Sequence, residues 1–171
     1  MKYSRVEYAR IFLVATDAVW KQFVEPYSKR HEDKYLNGTR LRLRILTDSD
    51  SDRQLIKLTK KYESDSPYFR QIITTILTPE EYRVFDALEG NRVEKVRFYH
   101  HYKNRIFSID VFENELSNLL ICETEQETLE DLMSAEPPPY IHFEVTEDHF
   151  FTGANLSQTT RADLSRKLSS L

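Results

Sequence analysis

Glycine is scarce in this sequence, with three residues in a chain of 171. Gly38, Gly90 and Gly153 are isolated, and none belongs to a glycine-rich loop of the kind that cradles phosphate with backbone amides. Any phosphate that this protein binds must therefore be held by side chains.

Cysteine and long apolar runs are also lacking. Cys122 is the one cysteine, so the sequence offers no disulfide within the chain and no cysteine-based zinc site. No apolar run approaches the roughly 20 residues that a membrane-spanning helix needs, and charges interrupt the first ten residues where a secretory signal would be apolar. We therefore expect a soluble cytoplasmic protein with no membrane partner.

A strong excess of positive charge is missing as well. The chain has 24 basic and 28 acidic residues and a net charge of −4, which excludes a bulk nucleic-acid binder but leaves room for a local basic site. With 40% hydrophobic and 30% charged residues the chain is globular. Its length predicts a single domain over residues 1–171.

Alternating apolar and polar residues predict about eight strands joined by short connections. The predicted strands cover residues 5–14, 34–46 (with an Asn-Gly turn signal at 37–38), 53–62, 68–77, 92–102, 105–113, 119–125 and 140–147. Helices are predicted over 16–30, capped by Asp17, over 78–90, 127–135 and the tail. The predicted fold class is α+β, mainly β: an eight-stranded antiparallel barrel with flanking helices, since closure removes strand edges.

Basic residues recur two positions apart in several of these strands, so that they share one face. Such a row is usually the solvent face of a half-exposed sheet. In "RLRLR", however, leucines occupy the other face, which favours a sheet buried on both sides with the cations pointing into a lumen. The inward cations are Arg40, Arg42, Arg44, Lys57, Lys61, Lys95 and Arg97.

Seven cations in a lumen would repel one another strongly without compensating acids or a bound anion. Carboxylates with matching alternation are Glu7, Asp110, Glu123, Glu125 and Glu144. Arginine and lysine suit phosphate oxygens, and carboxylates suit Mg²⁺ or Mn²⁺. The pattern predicts a tunnel with a cationic wall for phosphates and an acidic wall for a divalent metal, which could activate water.

The ordered series "KYLNGTRLRLR", "KLTKKY", "ILTPEEY", "EKVRFYHHYKNRIFSIDVFENELSNLLICETE" and "EVTEDHFFTGANL" resembles the CYTH domains, or triphosphate tunnel metalloenzymes. The resemblance covers roughly residues 5–157. It implies an eight-stranded antiparallel tunnel, a divalent metal and action on triphosphates. Arg42 with Arg44, Lys61, and Lys95 with Arg97 match its basic positions, and Glu123 with Glu125 match its paired metal-binding glutamates.

The first strand departs from this family. Its signature there is Glu-x-Glu-x-Lys, and "EYARIFLV" keeps only the first glutamate, as Glu7. Ala9 and Ile11 stand in place of the second glutamate and the lysine. Arg5 lies on the same face of the strand as the missing lysine, as compensation for it requires, whereas Arg10 lies on the other face. By this resemblance, the strand lacks a metal ligand and either a phosphate contact or a group that orients the nucleophile.

Two functions are therefore predicted. The first is a metal-dependent hydrolase of tripolyphosphate or a nucleoside triphosphate, in which Glu7, Glu123 and Glu125 are the catalytic metal-holding groups. The second is a domain that binds triphosphate, polyphosphate or nucleotide with little or no turnover. An adenylate cyclase is a third, weaker reading. Nucleic acid is expected only as a 5′-triphosphate end, and the chain as a monomer or homodimer.

Overall fold

The strands of this protein close into a barrel, as shown by a computed structural model that describes residues 4–15 and 19–171. The nine strands of the described residues are β1 (Ser4–Val14), β2 (Ser28–Leu36), β3 (Leu41–Asp48), β4 (Gln54–Lys61), β5 (Phe69–Ile76), β6 (Gly90–Tyr102), β7 (Arg105–Phe112), β8 (Leu120–Gln126) and β9 (Ile141–Glu144). Their order is β5-β4-β3-β2-β6-β7-β8-β1-β9.

Strand β1 closes the barrel, because it pairs antiparallel with β8 along one side and with β5 along the other. The pairing with β5 covers the first half of β1, from Ser4 to Tyr8. The second half of β1 pairs instead with the short β9, with a register shift at Leu13 and Val14. Eight strands thus form the predicted antiparallel barrel. The single strand predicted over 34–46 is wrong, since that segment is the hairpin of β2 and β3, and the strand predicted over 140–147 is not one of the eight, since β9 is an added ninth strand.

The helices are short and lie around or across the barrel. They are α1 (Pro79–Asp86), α2 (Leu129–Met133), α3 (Gly153–Leu156) and α4 (Arg161–Leu168). The capping box that predicts α1 is present: the Glu81 backbone N–H donates to the Thr78 hydroxyl, and the Thr78 N–H donates to the Glu81 carboxylate. None of the helices in the described residues is long and apolar enough to cross a membrane.

The helix predicted over residues 16–30 is wrong for the described part of that segment, and Asp17 lies outside the described residues. A short 3₁₀ turn, Trp20–Gln22, replaces it, and β2 begins at Ser28. Trp20 is buried against Phe12, Phe107 and neighbouring side chains on the outer face of the barrel. This packing accounts for the apolar spacing that resembles a helix. Pairing with β3 and β6 makes residues 28–36 a strand.

The sheet is buried on both faces. A cluster that includes Phe12, Phe107 and Ile109 covers part of its outer face. A second cluster, which includes Val93, Phe112, Ile121, Phe151 and Leu156, fills one end of the lumen. There the segment around α3 packs so closely that a Cβ at Gly153 would clash with the Tyr35 hydroxyl. The remaining lumen is a polar tunnel.

Candidate triphosphate site in the tunnel

The tunnel is a cavity of about 1070 Å³ enclosed by the barrel strands. All seven predicted cations line it: Arg40, Arg42, Arg44, Lys57, Lys61, Lys95 and Arg97. Four of the five predicted acids line it too, namely Glu7, Asp110, Glu123 and Glu125. The alternation of charge in the strands therefore predicts correctly which of these side chains share the lumen.

Glu144 is the exception, and its prediction as an inward metal ligand is corrected by the structure. It forms a two-pronged ion pair with Arg10, with Nε–Oε1 at 3.0 Å and Nη2–Oε2 at 2.7 Å. Arg10 also donates to the carbonyl of Ala135 at 2.9 Å. Glu144 pairs with Phe12 on the outer side of β1, so its ion pair with Arg10 fastens β9 to β1 instead of facing the tunnel.

Asp110 faces the tunnel, but its oxygens are occupied by cations. Lys95 Nζ lies 2.5 Å from Oδ2, and Arg97 donates through Nε and Nη2 at 2.6 and 2.7 Å. Although burial acts in the opposite direction, Arg97 and Lys95 hold the pKa of Asp110 far below its usual range. Asp110 is thus a counter-ion that positions Lys95 and Arg97, which differs from its predicted role as a metal ligand.

A second buried counter-ion, Asp33, was not among the predicted site residues. Its carboxylate is 2% exposed and takes two hydrogen bonds from Arg44, through Nε and through Nη2, the latter at 2.6 Å. Arg44 and Arg42 hold the pKa of Asp33 well below its usual range against the opposing effect of burial. No local pattern in the sequence indicates this role, which follows only from the pairing of Asp33 with Arg44 across β2 and β3.

The acidic wall is formed by Glu7, Glu123 and Glu125. Burial, followed by the negative charges of Glu123 and Glu7, raises the pKa of Glu125 to about 7. Arg5 bridges this wall, with Nη2 lying 3.2 Å from Glu7 and 3.6 Å from Glu125. The mutual repulsion shows that the three carboxylates converge on one region of the tunnel.

The donor chemistry of this wall fits a hard divalent cation, because the ligands are carboxylate oxygens whose repulsion a cation would relieve. Within residues 4–15 and 19–171, no group of three or more His, Cys, Asp or Glu side chains is already arranged to hold a metal ion. Mg²⁺ is commonly held by one or two carboxylates together with substrate phosphates. The wall therefore suits a metal that is coordinated jointly by glutamates and a phosphate ligand.

The cationic wall retains groups that internal acids do not occupy. Lys57 makes no ion pair with the described residues, and burial together with Arg44 and Lys29 lowers its pKa. Arg42 keeps its buried Nε without a hydrogen-bond partner. Lys61 bonds Glu7 at 3.0 Å, and Arg40 pairs with Glu63 at an exposed position. Lys57 and Arg42 are thus the tunnel cations most available to a bound anion.

The altered residues of β1 lie beside the acidic wall. Ala9 pairs with Glu125 and Ile11 pairs with Glu123 in the antiparallel ladder. Ile11 lines the tunnel and also packs against the apolar cluster at its closed end. The first strand therefore keeps its place in the barrel, while two of its inward positions carry no charge.

The closed, charged barrel places this chain in the class of triphosphate tunnel folds. No family model matches the sequence. An inorganic triphosphatase of Nitrosomonas europaea is 38% identical over 66 residues, which are 38% of this chain and 44% of the relative, so the match spans less than half of that protein. The crystal structure of an inorganic triphosphatase superimposes with a TM-score of 0.58 at 25% identity, over 90% of this chain and 95% of the other.

A Hippeastrum protein described as an adenylyl cyclase with dominant triphosphatase activity shares the fold at 14% identity, with a TM-score of 0.50 over 75% of this chain and 82% of the other. Together with the ordered sequence motifs, these likenesses show that the chain has the fold of the CYTH superfamily, whose members are also called triphosphate tunnel metalloenzymes, and that it is similar in sequence to an inorganic triphosphatase.

Proposed function

We propose that this protein is a metal-dependent triphosphatase that hydrolyses inorganic tripolyphosphate or another small triphosphate. The observation that carries the proposal is the division of one enclosed tunnel into a cationic wall and an acidic wall. The name of the Nitrosomonas europaea relative and of the superimposed crystal structure supports the same activity. Mg²⁺ or Mn²⁺ is the proposed cofactor, and the cytoplasm the proposed compartment for a monomer or homodimer.

In this proposal the cationic wall binds and orients the phosphate chain. Arg42 and Lys57 meet its oxygens directly, since neither forms an ion pair with an acid among the described residues, and Nε of Arg42 has no hydrogen-bond partner. Lys95, Arg97 and Arg44 are held in place by Asp110 and Asp33 and direct their remaining donors into the tunnel. Charge-assisted hydrogen bonds of this kind are roughly twice as strong as neutral ones.

Glu7, Glu123 and Glu125 would hold the metal, which would activate water and offset charge on the phosphoanhydride. Arg5 and Lys61 contact these glutamates and limit their repulsion before the ligand enters. Glu7, Lys95 and Arg97 are mostly buried in the tunnel wall, which strengthens their electrostatic contacts.

The alternative is a domain that binds triphosphates without turning them over, and the uncharged Ala9 and Ile11 favour it. Phosphate release from tripolyphosphate, measured with Mg²⁺ and with Mn²⁺, separates the two functions when binding is followed by calorimetry in the same buffers. Release supports the triphosphatase. Tight binding without release supports the binding domain, and the absence of both contradicts the proposal.

Replacing Arg42 with alanine is expected to remove most of the rise in melting temperature that tripolyphosphate produces. A charged hydrogen bond contributes about 1.5–3 kcal/mol, and a saturating ligand at 100 times its Kd stabilises a protein by about 2.7 kcal/mol. Thermal unfolding with and without tripolyphosphate measures the effect. Arg83→Ala, at an exposed position of α1, is the control; an unchanged shift in Arg42→Ala would contradict the tunnel as the binding site.

Restoring charge to β1, as Ala9→Glu with Ile11→Lys, is expected to raise kcat/KM for tripolyphosphate by about tenfold, which corresponds to 1.4 kcal/mol. The new groups would stand opposite Glu125 and Glu123. Ile11→Met is the control for the lysine, since it introduces an unbranched side chain of similar length without charge. If the double variant gains nothing over Ile11→Met, the assignment of these two positions to the family signature is wrong.

A further inference from the structure

The described residues contain three buried side-chain polar atoms without a hydrogen-bond partner, and all three belong to the tunnel wall. They are Nδ1 and Nε2 of His31 and Nε of Arg42. Buried polar atoms are normally paired, because leaving one unpaired costs about 1–3 kcal/mol. Arg42 is a predicted phosphate ligand, but His31 has no role in the site as described so far.

His31 lies in the middle of the cationic wall. Its side chain is 3% exposed and lines the tunnel from β2, with β3 on one side and β6 on the other. It pairs across the sheet with Leu46 and with Lys95. Its charged surroundings come from all the packed strands: Lys29 and Asp33 on β2, Arg44 on β3, Lys95 and Arg97 on β6, and Asp110 on β7.

The surroundings of His31 favour the neutral form of its imidazole. Burial lowers its pKa far below the ordinary value, and the positive charges of Arg44, Arg97 and Lys95 lower it further. A neutral imidazole has one N–H donor and one acceptor nitrogen. In a cavity lined by cations, the partner that best suits a free N–H donor is an anionic oxygen.

We propose that His31 is a ligand-binding residue of the tunnel that donates a hydrogen bond from its neutral imidazole to a phosphoryl oxygen of the bound triphosphate. This inference rests on the proposed function, because it assigns a further contact for the same ligand. The proposed contact explains why a histidine, and not a well-packed apolar residue, lies at the centre of a charged wall with both of its ring nitrogens unpaired.

The experiment compares tripolyphosphate binding by calorimetry to the wild-type protein and to His31→Leu, His31→Gln and His101→Leu, first with EDTA and then with Mg²⁺. A hydrogen bond to a charged acceptor predicts that His31→Leu binds about 10- to 100-fold more weakly. His31→Gln keeps an N–H donor and should recover most of the affinity. His101→Leu is the control, because His101 is exposed and pairs with Glu25 outside the tunnel.

Melting temperatures of the free proteins separate a ligand contact from a purely structural role. Removing an unpaired buried polar group is neutral or stabilising, so free His31→Leu should melt at or above the wild-type temperature while its ligand-induced shift shrinks. Unchanged affinity in His31→Leu, or equal losses of stability and affinity in both the Leu and the Gln variants, would overturn the role of His31. Absence of binding to the wild-type protein would overturn the proposed function and this contact with it.

Discussion

Replacing Glu123 and Glu125 together with glutamine is expected to lower the rate of phosphate release from tripolyphosphate by at least about 10²-fold. A catalytic metal contributes several kcal/mol of charge stabilisation, and each 1.36 kcal/mol corresponds to a factor of ten in rate. Glutamine keeps the side-chain length and an oxygen that can still accept the hydrogen bond from Arg97 to position 123. The loss should therefore reflect charge and metal affinity without a collapse of the wall.

The same double variant is expected to bind tripolyphosphate in EDTA at least as tightly as the wild-type protein does. Two negative charges that repel the anion have been removed, while the cationic wall is intact. Release assays with Mg²⁺ and calorimetry in EDTA test the two halves of this prediction separately. Glu136→Gln, a substitution at an exposed residue paired with Lys103, should change neither quantity. Undiminished release by the double variant would show that these glutamates are not the metal-holding groups.

Replacing Asp33 with alanine is expected to destabilise the protein by about 3–5 kcal/mol, because this leaves Arg44 buried without its partner. Urea denaturation measures the change in the free energy of unfolding. The paired replacement Asp33→Leu with Arg44→Met should recover much of that loss, since a buried ion pair can be exchanged for well-packed apolar groups at little cost. A loss below about 1 kcal/mol in Asp33→Ala would mean that solvent reaches Arg44 in the folded protein.

The buried aspartates also predict how stability depends on pH. The pKa values of Asp33 and Asp110 are lower in the folded protein than the ordinary value near 3.9. Their contribution to stability is fully present above that value and is lost as the pH falls below it towards the folded-state pKa values. Between pH 5 and pH 2, the free energy of unfolding of Asp33→Ala should therefore fall less than that of the wild-type protein. The difference should be about the stabilisation that one buried aspartate contributes.

The parts of the fold that sequence predicts best are those governed by the two-residue period of a strand. Alternation in "RLRLR" and "ICETE" fixes which side chains share a face, and the structure confirms that these strands bring Arg42, Arg44, Glu123 and Glu125 to one tunnel. Closure was predictable because alternating strands with short connections leave edges that must be covered. For these strands, the two-residue alternation and the ordered motifs predict the same closed barrel.

The errors arise where tertiary pairing overrides local pattern. The apolar spacing of Trp20, Phe23 and Val24 resembles a helix, but Trp20 is buried in the outer cluster by a short turn. Glu144 faces outward because the four-residue β9 pairs with β1 next to a register shift, and a strand that short carries too little alternation to reveal its inner face.

Asp33 and His31 were missed for a related reason. Their residue types are ordinary for a polar segment, and residues 28–33, six of the nine residues of β2, lay within the predicted helix and its connection. Only the register, which sets Asp33 opposite Arg44 and His31 opposite Lys95, shows that they belong to the tunnel. Cross-strand neighbours of this kind are separated by many residues, so no local pattern announces them.

The pairing of β1 also determines when this barrel can form during synthesis. Residues 4–8 need β5, residues 8–13 need β8, and Leu13 pairs with Phe143, 130 positions later in the chain. Because β1 precedes the other described strands in the chain, part of it must stay unpaired until β9 has been synthesised. Contacts so distant in sequence slow folding and leave an apolar segment such as "IFLV" open to association with other chains. Nascent chains that end before β9 should accordingly depend on chaperones that shield exposed strands.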